Sequence, residues 1–573
     1  MTNKSTIRRV SSAVSLVGLL LLACMAAGAA TASGAGSKPA MSHEEQLRYG
    51  ERMYREGILP NGKPMQALVQ GDVPVSGSSF TCVSCHLRSG LGATEGTVVT
   101  PPTNGRVLFQ PRGLLQKNFE MVPTVRKYSL SLPQRPAYTD ETLAECIAGG
   151  VDPAGRELSR TMPRYHLNEA DMAMLIAYLK TLSDRLPPGV SETEMHFATV
   201  ITDGVRPEDV QAMLLPIETY ISKKNGIASA FKRRPQSMRM AVNMMGPDLV
   251  AMKMSLSRWH LKGAPDTWRA QLEEYYKKDP VFALLGGIGN GSWEPIHRFC
   301  EDHRLPDLFP VTDYPVISSK DWYTLYISKG VFQEGEGAAR YLNTMHELLK
   351  GKTILQVVRT TRRGKALATG FLSTWKAFGW PAPVTVELSA DQPLTPPLLD
   401  RLLTKEKPAV LLVWDDAAAL PAVAALAHRA DRPGMVVMSA VSLGPELRHI
   451  PDAARSYLYL TYPYRLPQDD VRYDSFIDFL IKGKSFDEQA LRIVKQSYAL
   501  GALQSQALME MRGEYYRDFL LDTIGMMPDM DLPLYERLSF GPNQRYASKG
   551  CYIVQLGKGD KPELVKRSDW AIR

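Results

Sequence analysis

The stretch that most limits what this chain can fold into is Thr81-Cys82-Val83-Ser84-Cys85-His86, a C-x-x-C-H motif. Its two thiols stand one helical turn apart, with an imidazole directly after them. That arrangement suits thioether bonds to the two vinyl groups of a haem, with the histidine as an iron ligand. A fold that carries it has to wrap a flat cofactor around one turn of chain. Two plainer chemistries use the same residue types, a redox dithiol and half of a zinc site. No second C-x-x-C and no H-x-x-x-H is present to complete the zinc set.

The N-terminus is what such a motif requires of its compartment. Lys4, Arg8 and Arg9 form a charged region, Val14 to Ala23 an apolar one, and Ala30-Thr31-Ala32 a small-residue cleavage site before Ser33. Two other readings stay open. Leu21-Leu22-Ala23-Cys24 is compatible with a lipoprotein site that leaves Cys24 acylated. The apolar run from Val10 to Ala32 is long enough for an uncleaved anchor. Each places the chain in the periplasm, held to a membrane only through the leader or a lipid. The formal charge of +8 falls to about +5 once the three leader cations are removed, and there is no long Lys/Arg run, which argues against nucleic acid as a partner. Cys146, Cys300 and Cys551 are left over, an odd number in an oxidising compartment. A Cys300–Cys551 disulfide and two buried free thiols both fit.

At 573 residues several domains are expected. His43 to Glu56 has the spacing of an amphipathic helix. Ser89 to Pro102 is Gly/Thr/Pro-rich loop, and Thr139 to Ala148 a short helix. Asn168 caps a helix whose Met172, Leu175, Ile176, Leu179 and Leu182 share one face. Before that helix stands Arg160-Thr161-Met162-Pro163. A six-coordinate haem needs a second axial ligand, and Met162, 76 residues after His86 and in a loop, has the right chemistry. Met172, Met174 and His166 are the competing ligands. Arg88, Arg106 and Arg112 read first as solvated loop charges and second as partners for haem propionates.

These features together resemble the class I monohaem cytochromes c over residues 43–183. The resemblance implies an all-α domain with one covalent haem c, bound through Cys82 and Cys85 and ligated by His86 and Met162. It also implies a crossing of the first and last helices, with Gly50 and Tyr178 as contact pair.

From Met195 the chain alternates apolar strands with amphipathic helices. Strands are expected at Phe197–Thr202, Met238–Met244 and Val281–Gly287, then at Thr353–Val358, Val384–Leu388, Ala409–Trp414 and Met435–Met438, with a last one at Cys551–Leu556. The run Gly286-Gly287-Ile288-Gly289-Asn290-Gly291-Ser292 lacks the third glycine of a dinucleotide fingerprint. No hydrolytic grouping or phosphate loop is evident.

The segments Val281 to Gly287, Phe309-Pro310-Val311-Thr312, Trp322-Tyr323-Thr324-Leu325-Tyr326 and Gly541-Pro542-Asn543-Gln544-Arg545 resemble the type I periplasmic ligand-binding proteins, the branched-chain amino-acid receptor group. This implies a two-lobed α/β domain with parallel sheets and a ligand between the lobes. Carried across, the ligand residues are Asn290, Ser292, Thr312, Asp313, Tyr323, Trp414 and Asp415, with Asp416 beside them. The expected organisation is a signal peptide at 1–32, a cytochrome c domain at 33–187, a linker at 188–195 and the receptor-like domain at 196–573. Its first lobe takes about 196–328 and 462–573, and its second about 329–461. The function expected is single-electron transfer, with the larger domain meeting a redox partner (a dehydrogenase or an oxidase) or a small carboxylate or amino-acid-like ligand. Alternatives are a solute receptor of an uptake or sensing system, with the haem as redox gate, and the haem subunit of a dehydrogenase.

Overall fold

The computed structural model describes residues 41–95, 98–112, 133–541, 544–559 and 562–570. The leader, Cys24 and the cleavage site lie outside the described residues. Three bodies of buried apolar side chains organise the rest.

The first is built on two crossing helices. His43–Glu56 starts at a capping box in which Ser42 Oγ accepts from the Glu45 amide and the Glu45 carboxylate accepts from the Ser42 amide, both at 3.2 Å. Glu169–Thr181 starts where Asn168 Oδ1 accepts from Asp171 N at 2.8 Å. They cross at Gly50, where a Cβ would lie 2.2 Å from the Met174 carbonyl oxygen and 2.6 Å from Tyr178 Cβ. The expected Gly50–Tyr178 contact is therefore present, and only glycine allows it. Asp140–Gly149 packs alongside. A small antiparallel sheet of Gln66–Val69, Val73–Ser76 and Arg164–Tyr165 joins these helices.

The second body surrounds a five-stranded parallel sheet in the order Thr324–Leu325, Asp307–Leu308, Ala283–Leu285, Glu194–Thr202, Lys253–Leu261. Glu194–Thr202 is buried on both faces: Phe197 and Ile201 enter one core, Ala198 and Val200 the other. The third body holds a seven-stranded sheet: Val384–Leu388, Ile354–Arg359, Val410–Trp414, Met435–Ser439, Leu458–Tyr462, Tyr552–Leu556 and Leu564–Lys566. The first five are parallel and the last two antiparallel. The chain passes between these lobes near Tyr326–Gly330, near Pro463 and near Ser548–Gly550. Two of the crossings are hydrogen-bonded to each other: Tyr326 N donates to Arg545 O at 2.9 Å and Ala547 N to Tyr326 O at 3.1 Å.

Three expectations are corrected. Met238–Met244 is not a strand; Arg239–Met245 is a helix with Met240 and Met244 in solvent. The strand is Lys253–Leu261, an edge strand whose solvent side carries Lys253, Arg258 and His260, which dilutes its apolar run. The C-terminal strand belongs to the second lobe, where it pairs with Leu458–Tyr462. Residues 188–195 are no loose tether either. The strand begins at Glu194, and Gly189 (φ 87°) sits so close to the sheet that a Cβ would meet Phe282 N at 2.1 Å. Of the two readings left open for Cys300 and Cys551, free thiols hold: one is buried in the first lobe and the other against Gly337 in the second.

Gly50→Ala should destabilise the holoprotein by about 1–3 kcal/mol by overpacking, although alanine alone would favour the helix by about 1 kcal/mol. Thermal unfolding followed by circular dichroism measures it; an unchanged or raised midpoint would contradict the crossing.

Candidate functional site

Cys82, Cys85 and His86 lie on or beside a single turn, Val83–His86. His86 N donates to Cys82 O at 2.9 Å, so thiols and imidazole are fixed to one rigid unit. Cys85 is exposed and Cys82 half-buried, while the His86 ring is buried. Burial pushes the Cys82 thiol up to about 12, and it raises Cys85 too, with Glu95 adding to the shift. A redox dithiol needs the reverse, a depressed thiol that is thiolate near neutrality. Burial holds His86 below its ordinary value, hence neutral, and its Nδ1 lies 2.9 Å from the Pro101 carbonyl oxygen. A carbonyl only accepts, so Nδ1 carries the proton and Nε2 the lone pair, the state an iron ligand requires. The loop after the turn closes tightly, with Gly90 (φ 70°) against Leu182 and Gly92 (φ 75°) against the Thr100 carbonyl. The residues present fit a covalently held haem.

Met162 is half-buried in the turn before Arg164–Tyr165. That turn is held by the Arg164 guanidinium, which donates to Met162 O at 2.7 Å and to Leu158 O at 3.1 Å. Tyr165 donates its hydroxyl to Phe80 O, tying the Met162 segment to the residues just before Cys82. Met172 and Met174 are packed in the helix core, and His166 is exposed with its amide paired to Gln66 O. Of the arginines, Arg106 reaches Glu514 across the junction with the first lobe at 3.9 Å. Arg88 is not solvated: its guanidinium lies 4.3 Å from the centre of the Trp322 ring. Arg112 pairs its backbone with Arg135.

The receptor-like cleft is only partly as expected. Thr312 and Asp313 line a cavity between the lobes, together with Glu334, Tyr464, Gln496 and Tyr535. Sequence reasoning missed those four: Glu334 and Gln496 come from helices, Tyr464 from a crossing and Tyr535 from the start of a short hairpin strand. The cavity holds about 40 Å³, room for a few waters and less than an amino acid needs. Asp313 is already engaged by Arg363 of the second lobe at 2.7 Å. Tyr323 is not in the cleft. Its hydroxyl donates to Asp518 at 2.9 Å at the junction with the first body. Trp414 packs into the second-lobe core and Asp415 forms a buried ion pair with Arg359 at 2.6 Å, yet both, with Asp416, line a separate cavity of about 250 Å³ beside Arg363. Asp416 caps the next turn through Ala418 N. Asn290 and Ser292 stand outside that cavity: Asn290 N donates to Thr202 Oγ1 at 2.9 Å, and Ser292 Oγ accepts from Glu294 N at 3.3 Å.

Glu334 is the unusual group here. Its Oε2 accepts from Ser439 Oγ at 2.8 Å and Thr461 Oγ1 at 2.7 Å, while the buried Oε1 has no partner among the described residues. Burial pushes its carboxyl up to about 7, opposed by those two hydroxyls and by Arg363. Among the described residues no group of three or more His, Cys, Asp or Glu comes together as a metal site.

A helical domain carrying C-x-x-C-H on one turn is thus joined to a two-lobed α/β body. Residues 78–183 match the family model for cytochrome c. The chain is thus a multidomain protein with a cytochrome c domain and a large α/β domain. No curated protein sequence matches it. Solved structures similar to its α/β part include a putative branched-chain amino acid ABC transporter protein from Rhodospirillum rubrum. It is 15% identical with a TM-score of 0.48, covering 67% of this chain and 100% of that one. A solute-binding protein from R. palustris in complex with 4-hydroxybenzoate is 16% identical with a TM-score of 0.46, covering 66% and 96%. A branched-chain amino acid ABC transporter protein from Thermus thermophilus with bound valine is 10% identical with a TM-score of 0.44, covering 67% and 98%.

The Glu334 site makes stability depend on pH. Its folded value lies above the ordinary 4.5, so the native state binds more protons than the unfolded chain between about 4.5 and 7, and stability falls as pH rises through that window. The loss is at most about 3 kcal/mol. Glu334→Gln should remove that component. Urea unfolding of variant and parent, compared on either side of the window, measures it; parallel profiles would contradict the assignment.

Proposed function

We propose that this protein is an exported one-electron carrier with one haem c, attached at Cys82 and Cys85 and ligated by His86 and Met162. The observation that carries the reading is the neutral, oriented His86 ring on the same turn as both thiols, within a segment that matches cytochrome c. When bound, the haem supplies an Fe(III)/Fe(II) couple. Pro101 fixes the imidazole tautomer, and Arg164 holds the Met162 turn. The thioether of Met162 favours the reduced state and raises the potential. With His86 and Met162 as its ligands a bound haem would offer no open position to a substrate, so the chain would pass electrons rather than transform a molecule at the iron. The electron donor or acceptor is a protein, a dehydrogenase or an oxidase. Among the described residues no helix is long and apolar enough to cross a membrane, and export rests on the Lys4-to-Ala32 leader.

A second reading, a solute receptor gated by the haem, draws support from one observation. The unpaired Glu334 Oε1 and the nearby Asp313 offer two carboxylates to an amine between the lobes, once Arg363 releases Asp313.

Cys82→Ser should leave at most one thioether, and Met162→Ala should abolish the sulfur-to-iron charge-transfer band of the ferric protein and lower its potential. Survival of that band would give the ligand to another residue. Calorimetric titration of the holoprotein with amino acids should give no heat if the electron-carrier reading is complete; tight binding that shifts the haem potential would favour the gated receptor.

A further inference from the structure

The junction between the haem domain and the first lobe converges on the three residues after His86. Leu87 adopts φ 64°, a conformation that a branched side chain rarely takes. Its carbonyl accepts from Tyr54 Oη at 2.8 Å. The amides of Arg88 and Ser89 donate to Asp522, at 3.4 Å to Oδ1 and 2.8 Å to Oδ2, and the Ser89 carbonyl accepts from Ser183 Oγ at 2.7 Å. Tyr54 and Ser183 belong to the haem domain. Asp522 does not: it sits in Arg517–Met526, a helix of the first lobe, and is only 5% exposed.

A carboxylate is not buried without compensation. Two backbone N–H dipoles supply part of it. The Arg545 guanidinium supplies more: it interacts with the Asp522 charge and lies 3.9 Å from the centre of the Trp322 ring, on which Arg88 also packs at 4.3 Å. Asp518, one turn earlier, faces it too but is engaged elsewhere, by Arg55 and by the Tyr323 hydroxyl, each at 2.9 Å. Burial, with Asp518 adding, pushes Asp522 up to about 6, so it is ionised in mildly alkaline solution.

We propose that Asp522 is a positioning residue for His86, clamping the strained turn that sets the imidazole, and that the first lobe is thereby part of the iron-ligand mount. The proposal rests on the reading of His86 as an axial ligand. The turn is held on the haem-domain side by Pro101, Tyr54 and Ser183 and on the other side by Asp522. Without that carboxylate two consecutive amides beside the ligand lose their acceptor, and the turn that carries the ring is held from the haem-domain side alone. Ionised, that carboxylate would also favour the ferric state of a haem held by this turn.

The test uses full-length holoprotein carrying Asp522→Ala, with Asp518→Ala as control. The control breaks the Arg55 bridge across the same junction and leaves residues 88 and 89 untouched. At about pH 8, Asp522→Ala, which removes both acceptor oxygens, should raise the haem potential and speed exchange of the Ser89 amide by about tenfold or more. Asp518→Ala should change both much less. Equal effects of the two variants would reduce Asp522 to general docking and overturn the proposal, as would an Asp522→Ala protein identical to the parent. Should the variant fail to fold, exchange in the parent decides: a Ser89 amide as labile as an open loop overturns the clamp, and one as protected as the Arg517–Met526 helix supports it. Failure of the ligand reading is seen separately, as an unchanged haem spectrum in His86→Gln.

Discussion

Where three consecutive peptide groups find hydrogen bonds determines the geometry of this molecule's candidate haem site. The turn that carries both thiols and the imidazole ends at Leu87 in a left-handed conformation, which throws the next amides away from the helix they would otherwise extend. Buried amides must be paired. One set of contacts is local, with Tyr54 and Ser183 donating to the Leu87 and Ser89 carbonyls and Pro101 accepting from the His86 ring; the amides themselves go to a carboxylate from a different body of the protein. The crossing of the terminal helices at Gly50 serves the same end, since Tyr54 lies one turn beyond it and Ser183 just past the end of the second helix.

Much of this was legible in the sequence, for physical reasons that differ by region. C-x-x-C-H, the capped helices and the glycine at the crossing are local signals, and local signals survive in one dimension. The buried parallel strands were equally plain, because burial on both faces makes a run apolar throughout. An edge strand sheds that signal, which is why Lys253–Leu261 hid behind its charges while the methionines of Arg239–Met245 imitated a strand. What could not be read was partnership across long separations. Nothing near Tyr323 says that its hydroxyl meets Asp518, and nothing near Cys551 says which sheet edge its strand completes.

The cleft teaches the same lesson from the other side. Residues at strand ends were expected to await a ligand, yet Asp415 is satisfied by Arg359 and Asp313 by Arg363. A polar residue at the right topological position is available to a ligand only if the fold has not already given it a partner. Glu334, in a helix after the first crossing, is the group left with an unspent oxygen.

The Asp522 contact has a consequence for the order in which the molecule can be finished. The amide it receives at Ser89 lies 433 residues earlier in the chain. Synthesis runs from the N-terminus, so the haem domain emerges whole while the acceptor for its own turn has yet to be made. Until the Arg517–Met526 helix docks, those amides can be satisfied only by water, and the turn is free to relax. The most N-terminal of the three bodies thus acquires its final geometry only after a carboxylate 433 residues beyond Ser89 has been made and docked.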